Sequence, residues 1–223
     1  MSDRLHPSRT SVQYAVRKPL LEWLRAQDVR GLRVLDVGCG DRPYEQLLAG
    51  AAEIVGFDVP GNPHADLHGS IDALPVEDAS FDVVLCLQVL EHVPSPEAAV
   101  RELRRVVKPG GLVLVSTHGI YPFHPNPDDF WRWTQDGLAH LFRTNAEWSS
   151  VTVRPGAGTA ATVAMLLAHT IDLLCKRAHV RLAGAPFVAL LNAGGEALDG
   201  AIPLLREPVP GSLNANYHVE ARA

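Results

Sequence analysis

Val34-Leu35-Asp36-Val37-Gly38-Cys39-Gly40 is the stretch that decides the fold. It continues an apolar run that starts at Leu32, has the compactness of a buried strand, and breaks at Gly38. Glycines at 38 and 40 let the backbone turn tightly and approach a ligand. Pro43 to Leu48 then reads as helical, with Pro43 early in the first turn and Gly50 as the stop. Strand, turn and helix in that order open an α/β sheet.

The same rhythm continues downstream. Ile54 to Phe57 is a short strand, Phe81 to Leu87 a buried one, and Pro96 to Val107 a helix. Leu112 to Ser116 is another strand after the turn Lys108-Pro109-Gly110-Gly111. Alternating strands and helices imply a parallel sheet covered on both faces. Upstream, apolar residues from Ser11 to about Gln27 recur at helical spacing, with Pro19 as a kink. Beyond Thr117 lies a loop rich in proline, histidine and aromatics, then a helix capped by Thr134 and running to about Phe142. Val151 to Arg154 and Tyr217 to Ala221 read as strands six and seven. Between them, about Gly156 to Leu213, sits an insertion with helical patches at Val163 to Leu174 and Phe187 to Leu191. A plain sheet connection needs far fewer residues, so the insertion has a task of its own.

A chain of 223 residues, 47% hydrophobic, supports one sizeable domain. Its expected parts are a helical segment at 1–30, a core with its lid at 31–155, the insertion at 156–213 and the last strand at 214–223. A formal charge of -5 provides no general basic surface, which argues against nucleic acid as a partner. Cys39, Cys86 and Cys175 lack metal-ligand spacing and are odd in number, so neither a disulfide framework nor a zinc site is expected. The N-terminal Asp3, Arg4, His6 and Arg9 do not form a signal peptide, and a reducing cytoplasm fits. Ala157 to Leu174 is interrupted by Thr159, Thr162, His169, Thr170 and Asp172, so no transmembrane segment is expected.

Asp58 ends the second strand, at about the distance from the glycine turn where an acid accepts both hydroxyls of a ribose. Turn and acid together point to an adenosine ligand. A dinucleotide fingerprint keeps a third glycine where the pyrophosphate-binding helix packs on its strand, and here that position is Pro43. A cofactor without a pyrophosphate is favoured.

Three further motifs lie in register: Asp72-Ala73-Leu74-Pro75-Val76-Glu77-Asp78-Ala79-Ser80-Phe81-Asp82-Val83-Val84, then Leu90-Glu91-His92-Val93, then Val107-Lys108-Pro109-Gly110-Gly111. From about Leu32 to Ser116 the chain resembles the class I S-adenosylmethionine-dependent methyltransferases of type 11. The resemblance implies a Rossmann-like, seven-stranded, mostly parallel sheet with helices on both faces, here with a helical insertion between strands six and seven. It implies S-adenosylmethionine as cofactor, with the backbone around Gly38, Cys39 and Gly40 on its methionine end. Asp58, with Val59 beside it, would hold the ribose, and Ser70 and Ile71 the adenine. Gln88 would lie beneath the methionine moiety. Asp36 either touches the cofactor or organises the glycine loop by accepting backbone hydrogen bonds.

Methyl transfer is an in-line displacement that requires alignment and exclusion of water, with a base where the acceptor has a proton to lose. The candidate catalytic residues are His118, at the carboxyl edge of the sheet, and His124. His92, read on a helix after the fourth strand, is expected to be a pocket wall or a structural histidine. The run His124-Pro125-Asn126-Pro127-Asp128-Asp129-Phe130-Trp131-Arg132-Trp133-Thr134 resembles the active-site lid of a type 11 sub-group often found in glycan or secondary metabolism. The expected substrate and lid residues are His92, Tyr121, Asp129, Trp131 and Arg132. The plainer reading of the run is a lid held by an Asp129 to Arg132 ion pair and buried tryptophans. No metal is expected, because His124 and Asp128 lack a spaced acidic set beside them. Leu87-Gln88-Val89-Leu90 stands where nucleobase amine methyltransferases carry Asn/Asp-Pro-Pro-aromatic. The expected acceptor is therefore a hydroxyl of a natural product or a sugar or glycan precursor. N-methylation of a small amine, or a non-catalytic scaffold that binds the cofactor, are the alternatives. The insertion roofs the acceptor pocket, forms a homodimer interface or rests on lipid.

Overall fold

The computed structural model describes residues 4–125 and 128–223; Asp3 and the lid residues Asn126 and Pro127 lie outside the described residues. The chain packs as two compact units. One comprises Arg25–His118, His124–Arg154 and Tyr217–Ala223; the other takes the residues up to Leu24, Gly119–Phe123 and Pro155–Asn216.

The larger unit is built on the sheet. Its strands are β1 (Arg33–Val37), β2 (Glu53–Asp58), β3 (Leu67–His68), β4 (Phe81–Leu87), β5 (Val107–His118), β6 (Ser150–Pro155) and β7 (Asn216–Arg222). They lie in the order β3-β2-β1-β4-β5-β7-β6. Parallel pairing joins β1 to β2 and β4, β2 to β3, and β4 to β5. β7 runs against β5, since Gly110 N–H donates to Ala223 O while Gly119 N–H donates to Ala215 O. This is the mostly parallel, seven-stranded Rossmann-like sheet expected from the sequence. The order reverses between β1 and β4, and the carboxyl ends of β1, β2, β4 and β5 share one edge. Ligands of open α/β sheets bind there.

The core follows the sequence period. Helix α2 (Pro96–Val106) buries Ala99, Val100, Leu103 and Val106, a 3.6-residue stripe, against the apolar runs of β4 and β5. Helix α3 (Gln135–Asn145) adds Leu138, Leu141 and Phe142 and begins where expected, with Thr134 Oγ1 accepting Gly137 N–H. Removing the Leu103 side chain beyond its Cβ is expected to cost about 2–5 kcal/mol.

Three local readings need correction. Pro43 to Leu48 forms only a 3₁₀ turn, Glu45–Leu48, because Leu47 N–H and Ala51 N–H close onto carbonyls three residues back. His92 ends another 3₁₀ turn, Leu90–His92, rather than lying on a longer helix. β5 starts at Val107, so the turn Lys108 to Gly111 is absorbed into the strand as an irregularity opposite Phe81 and Val83. A Cβ on Gly111 would lie 2.7 Å from Asp82 O.

In the smaller unit, α4 (Thr159–Arg177) and α5 (Arg181–Ala201) pack together, and both fall between β6 and β7 in the chain. Gly195 permits the approach: a Cβ there would lie 2.9 Å from Ala161 Cα and from Ala164 Cβ. The Asp199 carboxylate accepts Ala160 N–H and Ala161 N–H, supplying from α5 the cap that Gly158 lacks. Helix α1 (Tyr14–Arg25) contributes Ala15 and Val16 to a cluster with Ala157, Met165 and Ala215. Among the described residues, α4 alone is long and apolar enough to cross a membrane. Its Thr162, Ala164, Met165 and Ala168 are buried, and Asp172 pairs with Lys176 on it.

Candidate active site

At the end of β1 the chain turns through Gly38 and Gly40, whose φ values are 74° and 55°. Only glycine enters this left-handed region without strain. Gly38 also makes room inside the protein, because a Cβ there would lie 2.2 Å from Val89 Cγ2. Gly38 N–H and Cys39 N–H donate to Phe57 O, tying the turn to β2. The Asp58 carboxylate completes the tie, its Oδ2 accepting Gly40 N–H at 2.8 Å and its Oδ1 accepting Val59 N–H at 2.7 Å. Asn62 Nδ2 donates both to Asp58 Oδ2 and to Gly40 O, a clamp that the sequence reading missed. The signal was a turn-forming Pro60-Gly61 that returns an amide four residues beyond the acid.

Among the described residues, the bonds that organise the loop end on Asp58 and Phe57, not on Asp36. Asp36 is buried, and burial raises its pKa to about 7. Burial likewise raises the Cys39 thiol to about 11, so Cys39 is a small turn residue and not a thiolate. β3 pairs His68 with Asp58, which carries Ser70 and Ile71 past the same strand end. Ser70 is exposed, Ile71 buried and Val59 58% exposed. Gln88 takes a left-handed conformation, φ 58°, locked by Gln88 N–H to Ser116 O and Gln88 Nε2 to Ser116 Oγ at 2.7 Å. A carboxylate fixed at the end of β2, a close backbone turn and apolar flanks at Val59 and Ile71 fit an adenosine-bearing sulfonium.

Beyond Gln88 the chain enters a histidine cluster. Glu91 is 0% exposed, and its Oε2 accepts Thr117 Oγ1–H at 2.8 Å. Its Oε1 is buried and accepts no hydrogen bond among the described residues. His118 Nε2 lies 3.2 Å from that oxygen and His92 Nε2 4.0 Å. The His124 ring meets those of His92 and His118 edge-on, with centroids 5.0 and 4.9 Å apart. His118 is 4% exposed, and burial, reinforced by His124, lowers its pKa to about 2. Burial also raises the Glu91 pKa. The two predicted histidines thus converge on a buried acid whose role the sequence reading missed. Leu90-Glu91-His92-Val93 marked it as a motif, but nothing local announced Thr117 as its partner.

The lid folds onto the same turn. Phe130 N–H and Trp131 N–H donate to Glu91 O, Trp131 Nε1–H to Val93 O, Trp133 N–H to His118 O, and His92 Nδ1–H to the Asp128 carbonyl. The Asp129 carboxylate forms a two-pronged pair with Arg132 at 2.6 and 2.7 Å and accepts His124 N–H at 3.0 Å. Arg132 above all holds the Asp129 carboxyl well below the usual range. The expected ion pair is present, but neither tryptophan is buried. Trp131 is 36% exposed, although its indole stacks on half-buried Trp133 and its Nε1–H donates to Val93 O. Tyr121 belongs to the smaller unit, where its hydroxyl accepts Gln13 Nε2–H and its ring meets His169.

The methyltransferase-domain family profile matches residues 9–152 of this chain. The chain belongs to that family. It is a class I methyltransferase, type 11-like, and S-adenosylmethionine is its cofactor. Among curated relatives, the ubiquinone biosynthesis O-methyltransferase of Bordetella avium is 36% identical over 135 residues, covering 52% of this chain and 54% of that protein. The enzyme of the same name from Neisseria meningitidis serogroup C is 42% identical over 108 residues, covering 40% and 45%. The chain therefore spans about half the length of the curated relatives it matches. Among solved structures, the [4+2]-cyclase SpnF aligns with TM-score 0.58 and 21% identity over 92% of this methyltransferase and 80% of that chain. An S-adenosylmethionine-dependent methyltransferase from Mesorhizobium loti aligns with TM-score 0.55 and 16% identity over 96% and 98%. At such identities the likeness is one of fold.

Proposed function

We propose that this methyltransferase transfers a methyl group to a hydroxyl oxygen of a small molecule, a natural product or a sugar or glycan precursor. The observation that carries the reading is the cluster of His92, His118 and His124 around buried Glu91, at the carboxyl ends of β4 and β5 just beyond Gln88. Oxygen transfer benefits from a group that takes the hydroxyl proton, and imidazole serves that purpose near neutral pH. The relatives' name, O-methyltransferase, supports the same reading.

In this account Asp58 accepts the ribose hydroxyls, with Val59 beside it. Gly38, Cys39 and Gly40 approach the methionine end, Ser70 and Ile71 flank the adenine, Gln88 lies beneath the methionine, and Asp36 acts from below the turn. S-adenosylmethionine supplies the electrophilic methyl. His124, half-buried and set by Asp129, takes the acceptor proton. His118, uncharged against Glu91, positions His124 and keeps that wall dry. His92, Asp129, Trp131 and Arg132 hold the lid. The whole chain acts as one cytoplasmic domain. Leu173, Leu174, Phe187 and Leu190, all exposed on α4 and α5, favour a homodimer through the insertion.

Incubation with trideuteromethyl-labelled cofactor and a panel of phenols, catechols, sugars and amines tests the reading by mass spectrometry. Label on oxygen is expected. Label on nitrogen alone would replace this reading with amine methylation.

A further inference from the structure

We propose that Glu91, His92 and His124 form a binding site for one divalent transition-metal ion. One oxygen or nitrogen from each lies within 4.8 Å of the others. Ligands bound to one ion at about 2.0–2.2 Å stand up to about 4.4 Å apart, so closure needs only small side-chain rotations. His92 Nε2 and Glu91 Oε1, at 4.0 Å, already satisfy that limit.

Two observations besides proximity point to a ligand. Glu91 Oε1 belongs to a fully buried side chain and accepts no hydrogen bond among the described residues. Leaving such an oxygen unsatisfied is costly, and a cation beside it removes that cost. His92 also carries an outer partner of the kind that aims an imidazole at a metal. His92 donates Nδ1–H to the Asp128 carbonyl, which leaves the Nε2 lone pair on the side of Glu91. His124 Nδ1 lies 3.4 Å from Asp129 Oδ2, and that carboxylate is itself fixed by Arg132. Asp128 takes part through its backbone, so the pairing of His124 with Asp128 weighed from the sequence is not the arrangement formed.

Two imidazoles and one carboxylate suit zinc, cobalt, nickel or ferrous iron better than magnesium or calcium, which prefer all-oxygen shells. Three protein ligands leave further coordination positions open, as in exchangeable rather than closed structural sites. A bound ion would occupy the His124 lone pair, so the site competes with the proton-accepting role proposed above for His124; it is tested on its own, by binding of the metal alone.

The full chain, stripped with chelator and dialysed, is titrated with cobalt(II) by visible absorption and with zinc(II) by calorimetry. One ion per chain with micromolar or tighter affinity is expected, with magnesium at least tenfold weaker. His92→Ala and His124→Ala should each weaken cobalt binding at least tenfold while adenosylhomocysteine affinity stays within twofold. Those two variants keep the test decisive even if Glu91→Gln, at a fully buried position, does not fold. No stoichiometric binding, wild-type affinity in both variants, or magnesium binding as tightly as cobalt overturns the site.

Discussion

The glycine turn and the histidine cluster end neighbouring strands of one sheet, yet they treat their polar groups in opposite ways. At the turn, Asp58 accepts Gly40 N–H, Val59 N–H and Asn62 Nδ2–H, and Phe57 O accepts two more backbone donors. At the cluster, Glu91 Oε1 is buried without a hydrogen bond among the described residues, and burial holds the neighbouring His118 uncharged. A satisfied network fixes one geometry, whereas an under-satisfied one is ready to take a proton, a cation or a substrate group. In the proposed account the turn presents a rigid surface to the cofactor, and the cluster supplies the chemistry.

The largest effect that tests this contrast is on turnover. His124→Ala is expected to lower kcat about 10²- to 10⁴-fold, the range for removal of a general base, with the KM for the cofactor unchanged. His118→Ala should lower kcat less and shift the pH profile, because it positions His124. A loss below tenfold in both, measured at saturating cofactor, would leave orientation and desolvation as the whole of catalysis.

A histidine outside both regions gives the background for any pH study. His218 on β7 is buried, and burial lowers its pKa to about 4. In the unfolded chain the value is about 6.5, so the unfolded state takes up the proton first. Its contribution is fully present above about pH 6.5 and falls by on the order of 3 kcal/mol as the pH drops towards 4. Thermal melts of wild type and His218→Gln between pH 7 and 4.5 check this; parallel curves would show that His218 has no such role.

A smaller effect tests the rigidity of the turn. Gly38→Ala combines a positive φ with a Cβ 2.2 Å from Val89 Cγ2. A loss of about 1–3 kcal/mol in chemical denaturation is expected, and Val89→Ala should recover part of it. Full additivity in that double-mutant cycle would place the cost in the backbone alone.

Much of this was legible beforehand because the signals are local. The run ending at Gly38, the stripe on α2 and the Thr134 cap follow directly from spacing, and each element formed where it was read. β3 was not located, because Leu67–His68 is too short to show a period. The 3₁₀ turn at Glu45–Leu48 was read as helix because a single turn has the same apolar spacing as the start of a longer one. In the site, His118 and His124 were chosen from position and chemistry, and they do converge. Glu91 and Asn62 were missed because what defines them is distant: Thr117 lies 26 residues beyond Glu91, and Gly40 lies 22 before Asn62.

The most direct test of the division of labour is calorimetric titration of adenosylhomocysteine into Asp58→Ala beside His124→Ala. A charge-assisted hydrogen bond contributes about 1.5–3 kcal/mol, so Asp58→Ala is expected to bind about 10- to 100-fold more weakly. His124→Ala should match wild type. A folded Asp58→Ala that binds adenosylhomocysteine as tightly as wild type would contradict the account, because the acid at the end of β2 would then have no part in holding the cofactor.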